Sequence, residues 1–527
     1  MSHRLVAPAI FLGALVLLVA GARTQGIPRD EAYYFRAGEQ YSQFFVDLAH
    51  GRRLRDAVND FSYNSEHPAL MKLAFGLSWR LLHRTLGLGE ILAFRMPTLL
   101  LSAWLCLLLF RFGTRLGDPA AGALAAGLTL AQPHLYFHAQ LACFDAPIMV
   151  LWFAVVYAYF RALAEHSWRW AVLTGLCFGL SQCVKFNTVF LPPVLLAHWI
   201  YVRARGGRPP LAPFVAMATI GPAVFFAHWP WIWFDTWRRV GAYLSFHLHH
   251  WHYNFEFLGQ NYNHPPYPIS FPWLETALTV PVVTLALALG GLVALLRRRP
   301  LTDDALLEQA TRPGALLVAN AVAPLLVLNL PGAPIFGGVK HFLAAMPFLA
   351  LLAALALTRL ARAAAAALEL KRPALAVAAL GACALAPATL ETVYAHPDGL
   401  SYYNGLAGGF AGGADLGMNR QFWGYSPAGL FDWMNATLPR GARVYFHDLN
   451  PDSFDYYRRA KRLRPDIVHT GLEEPALRSS QTALVIHERH FNYYEYWIWQ
   501  VYGTTRPVRV RARENVPLVT AYQRKSP

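Results

Sequence analysis

The sequence predicts a polytopic α-helical membrane protein, with about eleven transmembrane helices followed by a C-terminal extracytoplasmic α/β domain. Three observations carry that expectation. Of 527 residues, 55% are hydrophobic and 15% charged, against roughly 25% charged in soluble domains. A chain this apolar cannot cover its own surface with polar groups, so lipid must be part of its solvent. Eleven apolar runs are each long enough, or nearly so, to cross a hydrocarbon core of ~30 Å as a helix. Residues 392–527 are less apolar and alternate strand-like and helical stretches, the pattern of a small α/β module.

The expected spans are 5–22, 91–112, 118–134, 145–163, 168–184, 186–204, 212–229, 272–296, 314–331, 341–358 and 374–391. His3 and Arg4 precede the first run, and Ala20-Gly21-Ala22 resembles a signal-peptidase site. With so many spans following, an uncleaved anchor is the better reading. Orientation comes from Lys and Arg in short loops, which stay on the cytoplasmic side. Arg111 and Arg115, Arg161 and Arg169, Arg203 to Arg208, Arg297 to Arg299, and Arg359 to Arg372 mark that side. The net charge of +15 therefore reports topology and anionic lipid rather than nucleic acid. The assignment closes only if the helical segment 68–84, which carries Lys72, Arg80 and His83, lies along the outer surface as an amphipathic helix.

Three segments then face outward: 23–67, 230–271 and the tail. In the tail, Arg443-Val444-Tyr445-Phe446 and Thr482 to His487 read as strands, with a helix near 452–464. The division is a transmembrane domain over 1–391, whose outer loops 23–90 and 230–271 form the working face, and an extracytoplasmic domain over 392–527. The five cysteines have no CxxC or metal-type spacing and read as small apolar fillers.

Acidic residues at the membrane's outer edge are costly there and so point to chemistry. Asp30 and Glu31 follow the first span by a few residues, and Tyr33 and Tyr34 come next. Asp145 opens another span in Cys143-Phe144-Asp145-Ala146-Pro147. Asp145 reads either as a helix N-cap or as a site acid, and Asp30 either as a solvated loop acid or as its partner. Glu66-His67-Pro68 starts the surface helix, where Glu66 reads either as a cap or as a contact. Lys185 and Lys340-His341 lie at outer span ends, suited either to snorkel toward headgroups or to hold a lipid phosphate. His247, His249, His250, His252 and His264 crowd one Trp- and Tyr-rich loop. They read as substrate or headgroup contacts (His250 and His264 foremost) ahead of a zinc cluster, so no metal ligand is assigned.

Asp30-Glu31-Ala32-Tyr33-Tyr34, Glu66-His67-Pro68-Ala69-Leu70, Phe144-Asp145-Ala146-Pro147, Lys185-Phe186 and Lys340-His341-Phe342, in that order, resemble the polyprenyl-phosphate-dependent glycosyltransferases of the GT-C fold. Protein O-mannosyltransferases and lipid A aminoarabinose transferases belong to that group. The resemblance covers the membrane part, about three-quarters of the chain. It departs at Lys340-His341, where the group often has Arg-Tyr, and at Phe144, where Thr is commoner.

The resemblance implies an integral-membrane transferase of the plasma (inner) membrane, with its site facing the periplasm or exterior. Its donor would be a polyprenyl-phosphate-linked sugar and its acceptor a lipid, glycan or protein. Asp30 would be the catalytic base, Glu31 the second choice, and Asp145 would line the same cavity. Lys185, Lys340 and His341 would take the phosphate, and Tyr33, Tyr34, Glu66, His67, His250 and His264 the substrates. No cofactor is certain; a divalent cation, Mg or Mn, would sit near Asp145 if one is used. A single displacement implies inversion at the anomeric carbon. The alternatives are a multi-span transporter or flippase, a membrane-anchored scaffold, and a GT-C polymer ligase.

Overall fold

The computed structural model describes residues 3–524; the side chains of His3 and Arg4 lie outside what it describes. Every expected span is helical: His3–Ala22, Glu90–Leu116, Pro119–Leu130, Asp145–Glu165, Trp168–Gln182, Leu191–Ala204, Ala212–His228, Phe271–Thr279 with Val282–Leu296, Pro313–Val327, Met346–Ala367 and Pro373–Ala395. Among the described residues, five helices are long and apolar enough to cross a membrane unaided: Leu5–Ala22, Glu90–Leu116, Asp145–Glu165, Leu343–Ala367 and Pro373–Ala395. The others are shorter or broken. Val280-Pro281 splits the expected 272–296 span in two, because proline cannot supply the N–H that a continuous helix needs. Short and broken helices are tolerated at membrane depth where neighbouring helices surround them.

Burial sorts the spans. The apolar window of Asp145–Glu165 is 94% buried, whereas those of Leu5–Ala22 and Pro373–Ala395 are 22% buried. The first is thus the axis of the bundle, and the other two are left for lipid.

Residues 68–84 do not continue as a span. They form a helix over Leu70–Ser78 and a π-turn over Trp79–Thr85, packed on the long first-loop helix Arg29–Ala49. The two backbones touch where both lack a side chain: a Cβ on Gly76 would lie 1.9 Å from the carbonyl oxygen of Gly38. That close approach is the packing mode small residues permit.

The loop before the Phe271 helix carries a hairpin, β1 (Phe255–Phe257) and β2 (Gln260–Tyr262). The tail builds a five-stranded sheet in the order β4-β3-β5-β7-β6, from β3 (Arg443–Phe446), β4 (Val468–His469), β5 (Thr482–Ile486), β6 (Arg509–Arg513) and β7 (Val516–Gln523). Pairs β3–β4 and β3–β5 are parallel, and β7 is antiparallel to both of its neighbours. One hydrophobic cluster runs from Ile27, Phe35 and Phe144 through Trp423 to Phe446, Leu484 and Val519. Tail and helices therefore share a core. Asp398 adds polar fixation, receiving Arg511 at 2.6 Å and Arg513 at 2.8 Å while fully buried.

Candidate active site

Asp145 is the first residue of its helix, and Phe144 holds the N-cap position without a side-chain cap bond. The capping role is thereby excluded, and the carboxylate turns instead to Lys185 Nζ at 2.8 Å. Glu66 caps nothing either. Its helix begins at Leu70 without a side-chain cap bond, and its carboxylate accepts from Asn64 Nδ2.

Asp30 stands in the first turn of Arg29–Ala49. Its Oδ2 accepts the indole N–H of Trp423 at 3.0 Å and lies 3.8 Å from Lys340 Nζ. The Asp30 side chain keeps 33% of its exposure, against 5% for Lys340 and 6% for Asp145. Lys340 also rests over the rings of Trp423 and Phe336, at 4.3 and 4.5 Å from their centroids. Burial pushes its ammonium down, while the Asp30 and Asp145 carboxylates push it back up. Two carboxylates and two ammonium groups thus form one charge cluster.

Glu31, one residue on, has a different fate. Its two oxygens accept from Arg95 at 2.6 and 2.7 Å and from the Ala142 N–H at 2.7 Å, with both side chains fully buried. Arg95 also donates to the carbonyls of Ala22, Gln25 and Gly26. With all of these groups engaged, Glu31 ties the first loop to the bundle and is not placed to accept a substrate proton. The structure places Glu31, expected as the second-choice catalytic residue, in a closed ion pair with Arg95.

The aromatic candidates divide as well. Tyr34 is buried and stacks on Phe144 at 4.0 Å, whereas Tyr33 is 38% exposed. His67 is half-buried between Phe144 and His247, and desolvation holds its imidazole well below the usual histidine range. His250 stacks on Phe336, which also meets the half-buried His341 edge-on. The Phe336 loop therefore links His250 to Lys340 and His341. His264 lies apart, near His252 at 6.1 Å between ring centres, and is not brought to the cluster. The loop histidines do not converge on a metal geometry; among the described residues only Glu256, Glu488 and His490 do. Asp30 and Asp145 already face lysines, a poor donor set for Mg or Mn.

Several site residues went unmarked by the sequence. Trp423 comes from the tail and has φ +79°, a conformation a bulky residue rarely takes. It is held by the Arg29 N–H, which donates to its carbonyl at 2.8 Å, and by Gly424, where a Cβ would lie 2.3 Å from the Asp448 carbonyl oxygen. Arg29 itself pairs with Asp448. His138 packs its ring on Trp423, feels both Asp145 and Lys340, and is held neutral by burial, pushed down to about 3. Both of its ring nitrogens are buried without a hydrogen-bond partner, which makes it a candidate substrate contact. Lys72 is fully buried, donating to the carbonyls of Asn64 and His67. Of these, Lys72 is visible in the sequence as a charge on the 68–84 helix, and Arg95 carries a signal too, as a charge inside an apolar run.

The family model described as dolichyl-phosphate-mannose-protein mannosyltransferase matches residues 67–233. Among solved structures, ArnT from Cupriavidus metallidurans bound to undecaprenyl phosphate is similar at 15% identity with a TM-score of 0.53, over 99% of this chain and 98% of that one. The same protein in the apo state gives 14% and 0.52 over the same shares. No curated protein matches the sequence. The chain has the fold of these structures from end to end, and the resemblance to GT-C glycosyltransferases holds in both sequence segment and fold.

Proposed function

We propose that this multi-pass membrane protein is a glycosyltransferase that moves a sugar from a polyprenyl-phosphate donor to a lipid, glycan or protein acceptor outside the cytoplasm, with inversion. The observation that carries the reading is the Asp30–Lys340 and Asp145–Lys185 cluster, where an accessible carboxylate stands beside the buried Lys340 and the half-buried Lys185. A family segment over 67–233 and a fold shared with a protein bound to undecaprenyl phosphate support the donor class.

The chemistry follows from the charges. A lipid phosphate leaves readily, so the reaction needs a base for the acceptor and positive charge for the departing phosphate. Trp423 and Lys340 both contact Oδ2 of Asp30, which leaves Oδ1 to take the acceptor proton. Lys185 and Lys340, with His341 beside them, receive the phosphate, and Asp145 orients Lys185 while lining the sugar side. Charge neutralisation by lysine lets this scheme run without a divalent cation at these carboxylates. The acceptor oxygen forms the new glycosidic bond as the bond from the anomeric carbon to the phosphate oxygen breaks, in one displacement.

In this reading residues 1–391 are the transferase domain, and residues 392–527 complete the site from outside through Trp423. The orientation rests on the basic loops, which meet one another in Arg362–Asp118, Arg359–Asp303 and Arg115–Asp304 pairs. They define a cytoplasmic face by the positive-inside rule.

The test is transfer from a panel of radiolabelled polyprenyl-phosphate sugars into membrane extract by purified protein in detergent, wild type beside Asp30→Asn. Label moved to lipid or protein by the wild type alone supports the reading and names donor and acceptor. Folded protein that transfers from none of the donors counts against it. Product NMR then decides the stereochemistry, and retention would sink the single displacement.

A further inference from the structure

A second polar cluster lies where the β1–β2 hairpin meets the tail. Glu256 belongs to β1, while Glu488 and His490 follow β5. One candidate ligand atom from each of the three lies within 4.8 Å of the others. Oε1 of Glu256 accepts from the backbone N–H of His490 at 3.0 Å and lies 3.0 Å from its Nδ1; Oε2 of Glu488 is 3.5 Å from Nε2.

The second oxygen of Glu256 is the informative one. The side chain is 0% exposed, and Oε2 is buried without any hydrogen-bond partner. A bare carboxylate oxygen in such a place carries its full desolvation penalty. The charges are unbalanced as well. Glu488 has Glu256 and Asp448 as like-charged neighbours, and the guanidinium near it, Arg29, is already paired with Asp448.

We propose that Glu256, Glu488 and His490 form a divalent-cation site, suited to zinc, that staples the hairpin to the tail. Two carboxylate oxygens and one imidazole nitrogen are a zinc donor set, with bonds of about 2.0–2.2 Å. Ligand atoms around such an ion stand roughly 3.4 Å apart by tetrahedral geometry, so the group needs only modest contraction. His490 is 23% exposed, which opens an entry path and leaves room for a water as fourth ligand. The hairpin already leans on the strand of chain that leads to Trp423: Gly259 N–H donates to the Gly417 carbonyl at 2.9 Å, and Glu256 N–H to Asn419 Oδ1 at 2.7 Å. The ion would fix that segment from the hairpin side.

The experiment is elemental analysis of full-length protein purified in detergent with zinc present, together with its thermal midpoint before and after EDTA. About one zinc per chain is expected, with a midpoint that falls on chelation and returns on adding zinc. Glu256→Gln and His490→Ala should hold no stoichiometric zinc and show no EDTA response, while a His252→Ala, His264→Ala double variant should keep both. Wild-type protein without stoichiometric zinc overturns the proposal, whatever the variants do. Zinc lost from the loop double variant instead would move the site to the loop histidines and overturn it equally.

Discussion

Asp30 and Glu31 are adjacent in the chain, in the same helical turn, yet they sit in two electrostatically opposite regions. Around Glu31 the structure is closed: Glu31, Arg95, three carbonyls and an amide satisfy one another. Around Asp30 it is open, with one third of the side chain exposed and its ammonium partner at 3.8 Å. A carboxylate that must hold a loop gains from saturation, because each bond to a buried charge adds rigidity. A carboxylate that must take a proton needs an oxygen left over. On the proposed function, one helix start supplies both an anchor and a reactive group.

The largest expected effect falls on the open side. Asp30→Asn should lower transfer by about 10²–10⁴-fold, the usual worth of a positioned base, with an unchanged elution profile in detergent. Near-normal turnover by that variant would erase the functional contrast between the two residues.

On the closed side the loss should appear in stability instead. Glu31→Gln or Arg95→Met leaves a buried charge without its partner, a cost of about 3–5 kcal/mol. The check is a lower thermal midpoint and a poorer folded yield for each single variant. An unchanged midpoint would show that the clasp is dispensable.

A smaller effect is expected at the phosphate side. Lys185→Ala should raise the donor KM about tenfold, since one charge-assisted contact is worth about 1.5–3 kcal/mol. Initial-rate kinetics with a truncated polyprenyl donor would read it, and an effect confined to the acceptor KM would reassign the lysine.

A separate effect concerns Lys72, whose burial pushes it down to about 7. Between that value and the ordinary lysine range near 10.4, the unfolded chain binds the extra proton and the folded chain does not. Stability should therefore rise with pH across that window and be flat below it. Lys72→Met should flatten the rise in a thermal-midpoint series from pH 7 to 10; an identical slope in both proteins would refute the assignment.

Much of the architecture was legible from composition and periodicity alone. Long apolar runs must become helices in lipid, because no other backbone conformation satisfies its own hydrogen bonds there. The parity of the basic loops placed 68–84 off the membrane, and the structure packs that helix against Arg29–Ala49. Carboxylates at span ends, Asp30 and Asp145, could be singled out because charge near hydrocarbon is expensive.

Only the tertiary structure decided how those charges pair. Nothing local distinguishes Asp30 from Glu31, since the difference is made by Arg95 and Ala142 on one side and by Trp423 and Lys340 on the other, far away in the chain. The tail's part in the site was equally invisible, because Trp423 is an ordinary aromatic until a strained turn aims its N–H at Asp30. Hydropathy is a sum over neighbours in sequence and survives without coordinates. Pairing and exposure are sums over neighbours in space, and those exist only once the chain has folded.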